Sequence, residues 1–337
     1  MVLSPSLFRS VAAAILRRAD LWARLLAEST DAMRLFHGVV EGEPGLTIDR
    51  YGPLLICQTF REPMSHDEAE DLGDFVNQQL GTDLPFACNH RGIEPQQGVQ
   101  LHAPSVAALQ DHTFHERGLR FMILARHHGK DPWLFLDLRA ARRFVHGIAQ
   151  GKRVLNLFSY TCGVGLLATA AGAANVINVD FAQSALAIGA RNAEANDLNS
   201  PRFRLLQSDC IPVLRQLARL PVQRRGKFHS YPKVEPQEFD LVFLDPPRWA
   251  KGSFGAIDVQ RDYASLFKPC VLTTAVGGIV IATNHVPTVA ADEWCDSLRR
   301  CAAKASRPLR DLQLLTPDND FPAFDGKPPL KVAVCHL

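Results

Sequence analysis

Apolar and polar positions along the chain fall into two textures. In residues 1–35, Leu, Ile, Ala and Trp recur every three or four positions among arginines and acids, the period of one or two amphipathic helices. From residue 36, turn residues break up short apolar runs. Residues 42–51 (GEPGLTIDRY) frame one strand, 54–59 form a second after Gly52 and Pro53, and 114–124 (FHERGLRFMIL) read as further strand and turn. Residues 67–80 open on acids, carry apolar residues at helical spacing and close at Gly81, which predicts a helix. Residues 36–118 are therefore expected to form a small α+β domain behind the helical segment 1–35. From residue 150 short apolar strands at 153–158, 176–180, 203–206, 239–245 and 279–283 alternate with helical stretches. That order predicts an α/β domain over 119–337, an open, mainly parallel sheet with helices on both faces.

Composition narrows the class. At 337 residues, 47% hydrophobic and 21% charged, the chain is globular and long enough for about two domains with cores of their own. No apolar run approaches the ~20 residues of a membrane span. The run 11–16 sits among Arg9, Arg17, Arg18 and Asp20 with no small-residue cleavage site, so it reads as a helix rather than a leader. Cys 8 without a C-x-x-C pair point to reduced thiols and a cytoplasmic location. His112 with His115, and His127 with His128, lack spaced cysteine or acidic partners, and no metal site is expected. A net charge of +2 argues against bulk nonspecific nucleic-acid binding but permits a local basic face. Residues 210–234 carry Arg215, Arg219, Arg224, Arg225, Lys227 and Lys233 with no acid, and Phe228, His229 and Tyr231 are interleaved. A solvated loop and a phosphate-contacting loop both fit that pattern.

Candidate chemistry lies at the strand ends, where ligands bind in such sheets. The loop after the first strand, Ser159-Tyr160-Thr161-Cys162-Gly163-Val164-Gly165, has one late G-x-G, not the G-x-G-x-x-G of a dinucleotide site, and no Gly-Lys-Ser/Thr phosphate loop. Asp180 ends the second strand, placed to accept from ribose hydroxyls. Asp209 follows the third, where a carboxylate suits an adenine amino group. Asp245-Pro246-Pro247-Arg248-Trp249 follows the fourth, and its prolines stiffen a loop that would face a flat substrate. Each acid alone would suit a helix cap. Together they point to S-adenosylmethionine.

These segments carry a resemblance. VLNLFSYTCGVG (154–165), NVDFAQSALAIGARNAEAN (178–196), QSDC (207–210) and FDLVFLDPPRWAKG (239–252) resemble the bacterial 23S rRNA methyltransferases of the cytosine-C5 and guanine-N7 group. GLTIDRY (45–51) and LFLDLRAARR (134–143) resemble that family's small central domain and the hairpin closing over its cofactor. IDVQRDYASLFK (257–268) and TNH (283–285) are closer to the guanine-N7 branch. The resemblance implies a Rossmann-like class I methyltransferase domain, S-adenosylmethionine as cofactor, and a substrate in 23S rRNA or a precursor large subunit, with no membrane or metal partner. It places Phe135, Asp137, Arg139, Phe158, Ser159, Tyr160, Thr161, Gly163, Asp180, Phe181, Ser208, Asp209, Cys210 and Asp245 at the cofactor. Departures are Pro132-Trp133 for a Thr-Gly, Leu138 after the Asp, and Cys162 at a Gly-like position. Residues 1–35 stand where the family often has an RNA-binding module.

The base follows from mechanism. Cytosine C5 needs a cysteine thiolate to add at C6. The family's cysteine after the fifth strand is replaced by Thr283-Asn284-His285. Guanine N7 has a free in-plane lone pair and needs only positioning. Asp245, Pro246 and Pro247 are expected to place the base, Trp249 to stack on it and Asn284 to bond its edge. His285 is read as a base or phosphate contact or as uninvolved. Of Arg139, Arg142 and Arg143, at least one is expected at the methionine carboxylate and the other two in solvent or on RNA. Arg224, Arg225, Lys227 and Lys251 are the RNA-contact candidates. Exocyclic amine methylation is the competing chemistry. The competing classes are a protein or small-molecule methyltransferase and a noncatalytic, cofactor-binding assembly factor.

Overall fold

Alternating apolar residues in the first half build a sheet that must be covered on one face, and the N-terminal helices supply part of that cover. The structure, a computed structural model, describes residues 3–91, 101–125, 131–222, 231–252 and 255–337. It divides into two compact units, 1–137 with 317–327, and 138–316 with 328–337.

The first unit runs α1 (Pro5–Arg17), α2 (Ala19–Ala27), β1 (Ala32–Phe36), β2 (Leu46–Tyr51), β3 (Leu54–Thr59), α3 (His66–Leu80), β4 (Phe86–His90), β5 (Leu101–His102), β6 (His112–Glu116) and β7 (Leu119–Ile123). Its sheet has the order β1-β2-β3-β4-β5, antiparallel except for β3 beside β4. Leu7, Val11, Leu25, Ile48, Leu55, Leu72 and Val76 share one core. Ser65 and Glu68 form a reciprocal capping box at the start of α3, and Gly81 ends it in the left-handed region. β6 and β7 form a hairpin closed by Arg117 and Gly118, both at positive φ, as a two-residue turn between right-twisted strands requires. Residues 317–327 are held through Asp320, which is buried and accepts from the Arg34 N–H at 3.0 Å, and through Phe321, whose ring lies 4.6 Å from the Arg34 guanidinium.

The second unit runs α4 (Arg139–Ile148), β8 (Arg153–Leu157), α5 (Gly163–Ala170), β9 (Asn175–Asp180), α6 (Gln183–Ala195), β10 (Phe203–Gln207), α7 (Cys210–Leu217), β11 (Phe239–Leu244), β12 (Trp249–Gly252), β13 (Gly255–Asp258), α8 (Val259–Thr273), β14 (Thr274–Asn284), α9 (Ala291–Lys304), β15 (Asp311–Leu315) and β16 (Lys331–His336). The sheet order is β10-β9-β8-β11-β14-β16-β15, parallel through β14 and antiparallel at β16. Strand order reverses beside β8, which makes the C-terminal ends of β8, β9, β10 and β11 the crevice for a ligand. Leu155, Leu157, Val179, Val242, Phe267 and Val280 lie in the core beneath it.

The α/β fold follows the expectation, with differences. The first unit takes in residues 1–35 and extends to Asp137, beyond the expected 36–118, because β1 pairs with β2 and α1 and α2 share the sheet's core. The hairpin expected in 134–143 lies at 112–123. Residues 134–143 pass through a 3-10 turn into α4, since RAARR has high helix propensity and no turn pair. β14 begins five residues before the expected strand; Gly277 at φ 75 and a register shift against β11 absorb the irregularity.

Candidate active site

The loop after β8 is strained. Phe158, Tyr160 and Cys162 all have positive φ, at 56, 48 and 62, a region costly for residues with a Cβ. Surrounding hydrogen bonds fix it: Ser159 N–H donates to the Val179 carbonyl at 3.0 Å and Cys162 N–H to the Ser159 carbonyl at 2.7 Å. Asp180, at the end of β9, accepts from Tyr160 N–H at 2.8 Å on Oδ2 and from Ala182 N–H at 2.9 Å on Oδ1. Burial pushes its carboxyl pKa up, and the backbone donors of Ala182, Tyr160 and Phe181 oppose that. Asp180 thus braces the loop first; each oxygen retains lone-pair capacity for a ribose hydroxyl. Gly163 and Gly165 lie inside α5. A Cβ on Gly165 would stand 1.9 Å from Asn178 Oδ1, so this glycine serves helix–strand packing.

Asp209 is the clearest test of the cofactor. Its Oδ1 caps α7 by accepting from Ile211 N–H at 2.9 Å, while Oδ2 is buried with no hydrogen-bond partner. Burying a carboxylate oxygen without a donor is unfavourable. An adenine amino group would supply that donor. Phe181 beside Asp180 is 61% exposed, an apolar ring available to a nucleoside. Ser208 N–H is committed to the Asp180 carbonyl at 2.9 Å. These residues fit an adenosyl group. Cys210 departs from the expectation: its thiol is buried, receives Phe158 N–H at 3.3 Å and lies 3.4 Å from the Val179 carbonyl, so its side chain belongs to the core. Thr161 and Ser159 are buried in the loop. Phe135 and Asp137 close the first unit, and Arg139 opens α4. Arg139 and Arg142 are both buried and Arg143 is half-buried, so the three do not place two in solvent as expected.

At the end of β11, Asp245 is held from two sides. Its N–H approaches the Leu157 carbonyl at 3.4 Å, and its Oδ1 accepts from the Thr283 hydroxyl and contacts His285 Nε2 at 2.7 Å. Pro246 is buried and Pro247 exposed. The turn carrying His285 is fixed in turn: Tyr263 Oη donates to the Thr283 carbonyl at 2.7 Å, and Lys331 Nζ to the Val286 carbonyl at 2.9 Å. Asn284 is 1% exposed and its Oδ1 accepts from Val286 N–H at 2.9 Å. It shapes the turn and does not present its carboxamide to a base, contrary to expectation. The sequence reading missed Thr283 and His285 as partners of Asp245. No local sequence signal gave them: the contact follows from the pairing of β11 with β14, Leu244 opposite Ala282, which sets Asp245 beside Thr283. Trp249 and Lys251 lie on the β12–β13 hairpin, opposite Asp258 and Ala256. Arg224, Arg225 and Lys227 lie outside the described residues.

All eight cysteines are buried. Burial pushes the Cys210 and Cys270 thiols well up and that of Cys162 to about 12. Among the described residues no group of three or more His, Cys, Asp and Glu is placed to hold a metal, and no helix is long and apolar enough to cross a membrane.

Comparison with known proteins agrees with this geometry. Residues 33–335 match the profile of the S-adenosylmethionine-dependent methyltransferase family. The ribosomal RNA large subunit methyltransferase I of Aeromonas hydrophila is 27% identical over 302 residues, 88% of this chain and 71% of the relative. A ribosomal RNA large subunit methyltransferase of Deinococcus radiodurans is 29% identical over 305 residues, 89% of this chain and 71% of the relative. The crystal structure of SMU.776, a candidate methyltransferase complexed with SAH, superposes with a TM-score of 0.74 at 21% identity, covering 98% of this chain and 82% of that one. The crevice at the switch in strand order, the Asp209 oxygen awaiting a donor and the match across nearly the whole sequence converge: this chain belongs to the S-adenosylmethionine-dependent methyltransferase family, and S-adenosylmethionine is its cofactor.

Proposed function

We propose that the chain methylates a base of large-subunit (23S) rRNA, at guanine N7, acting on the rRNA or on a precursor of the large subunit. Two relatives named as large-subunit rRNA methyltransferases, each matched over 71% of its length, support the RNA, and the burial of every cysteine carries the choice of base. Adding a thiolate to cytosine C6 needs an accessible, ionisable thiol. Guanine N7 needs none. S-adenosylmethionine, when bound, would supply an electrophilic methyl on sulfur, and its transfer to the N7 lone pair would require no proton acceptor among the residues.

The residues' tasks follow from that chemistry. Asp245 stabilises positive charge developing on the guanine ring, and Pro246 and Pro247 fix its position. Thr283 and His285 orient the Asp245 carboxylate. In this reading Trp249 stacks on the base, Lys251, Arg224, Arg225 and Lys227 contact phosphates, and Phe135, Asp137 and Arg139 border the cofactor. One observation favours a second reading. A carboxylate 2.7 Å from a histidine also suits a nucleophile that must lose a proton, as an exocyclic amine does.

The test is incubation with labelled S-adenosylmethionine and unmodified 23S rRNA, then digestion and nucleoside mass spectrometry. Label in 7-methylguanosine is the expected result. Label in N2-methylguanosine would replace it with the second reading. Label in 5-methylcytidine, or none on rRNA or precursor particles, would overturn the proposal.

A further inference from the structure

We propose that a basic cleft on the first helix is a binding site for consecutive phosphates of an RNA strand, separate from the crevice that holds the cofactor. Ser6, Ser10, Ala13 and Arg17 recur every three or four residues, and Arg9 stands three after Ser6 and four before Ala13, so all five share one face of α1, with Ala13 leaving room among them. They line a cavity of about 720 Å³ whose other wall includes Glu41 and Asn319. Arg18, the residue that caps α1, also lines it and is 4% exposed. Its Nη1 donates to the Ala14 carbonyl at 3.0 Å and to Glu41 Oε1 at 2.6 Å, while its Nε and Nη2 are buried with no hydrogen-bond partner.

Charge and donor supply decide the ligand. Glu41 already accepts from Arg17 Nη2 at 3.0 Å, from Arg18 and, through Oε2, from His37 N–H at 2.6 Å. One carboxylate therefore stands against three guanidinium groups, and the cleft is left cationic and rich in donors. An anion with several oxygens, able to accept from diverging guanidinium, hydroxyl and carboxamide groups at once, completes it, and phosphate has that form. Arg9 and Arg17 lie eight residues apart, roughly 12 Å along the helix, a spacing that suits separate phosphates of one chain. Arg17, 58% exposed, can follow such a strand at the surface.

This assignment rests on the reading of RNA as substrate, and its test separates the two. Equilibrium binding of a labelled 23S rRNA fragment is measured over a salt series for the full chain and for the double variant R9Q/R17Q, with S-adenosylmethionine affinity and melting temperature followed in parallel. Two lost phosphate contacts lower the slope of log K against log salt by about 1.4 for a single strand and weaken binding about tenfold at 0.1 M salt. R24Q, a charge change on α2 outside the cleft, leaves the slope within error. Unchanged slope and affinity in R9Q/R17Q overturn the proposal even if the rRNA is methylated. A lowered slope without any methylation sustains it and sinks the catalytic reading. Loss of inorganic-phosphate stabilisation in the variant with RNA binding intact would assign the cleft to a small phosphate ligand and overturn it as well.

Discussion

Asp209 and His285 each do a task their sequence neighbours were expected to share or perform. Asp209 divides its carboxylate between a helix cap and a buried oxygen with no donor. Asp209→Asn keeps the cap, since Asn caps as well as Asp, but turns an amide NH2 toward the adenine amino group. The expected outcome is a 10- to 100-fold rise in the Kd of S-adenosylmethionine, about 1.4–3 kcal/mol, with the melting temperature nearly unchanged; calorimetry and thermal denaturation read both. His285 separates the two readings of the chemistry. For N7 transfer it only positions Asp245, so His285→Gln lowers kcat by less than about tenfold and leaves the pH–rate profile in place. A general base removed would cost about 10²–10⁴-fold and remove a titrating limb from that profile. Single-turnover rates across pH decide between them.

The elements carry these residues, and here the packing is tight enough to predict a sign. Gly165 is the third residue of α5, and Ala is the better helix former by up to about 1 kcal/mol. Its missing Cβ is what lets the helix approach β9, because an added carbon would fall 1.9 Å from Asn178 Oδ1. Asn178 cannot swing away freely: its Oδ1 accepts from Asn156 Nδ2 at 2.9 Å and its Nδ2 donates to the Arg204 carbonyl at 3.3 Å. Gly165→Ala is therefore expected to destabilise by about 1–3 kcal/mol despite its propensity, measured by denaturant unfolding. The parallel strands and their acidic ends were legible in the sequence, because buried strands read as short apolar runs and each acid ends one or follows it within two residues. The His285 contact was not, since it depends on which strand lies beside β11, and order in a sheet is a long-range property. Cys210 misled because it opens α7 and turns its thiol into the core, and Asn284 for a simpler reason. Adjacent residues at a strand end point to opposite sides, and the one turned inward cannot be chosen without the neighbouring strands.

At the scale of the whole chain, residues 317–327 leave the second unit between β15 and β16 and belong to the first, so the first unit includes residues near the C-terminus. Arg34 is the post to which they are tied. Its guanidinium donates to Asp49 at 2.8 and 2.9 Å, reaches His37 Nδ1 at 3.0 Å and lies over Phe321. His37 must be neutral to accept from a cation. Burial first, and Arg34 next, lower its pKa from 6.5 to about 4; Asp49 and Glu41 oppose the shift and Arg18 adds to it. Below pH 6.5 the unfolded chain takes up this proton before the folded chain does. Stability is thus intact above pH 6.5 and lost progressively as pH falls toward 4. Carboxylates add an acid dependence of their own, which a variant can subtract. His37→Gln keeps an acceptor for Arg34 and removes the titration. Between pH 6.5 and 4 its melting temperature is expected to fall less steeply than that of the unaltered chain, and above pH 7 the two slopes should coincide. Calorimetric scans at half-unit pH steps check this, and parallel curves through the acid range would show that His37 does not couple pH to this unit's stability.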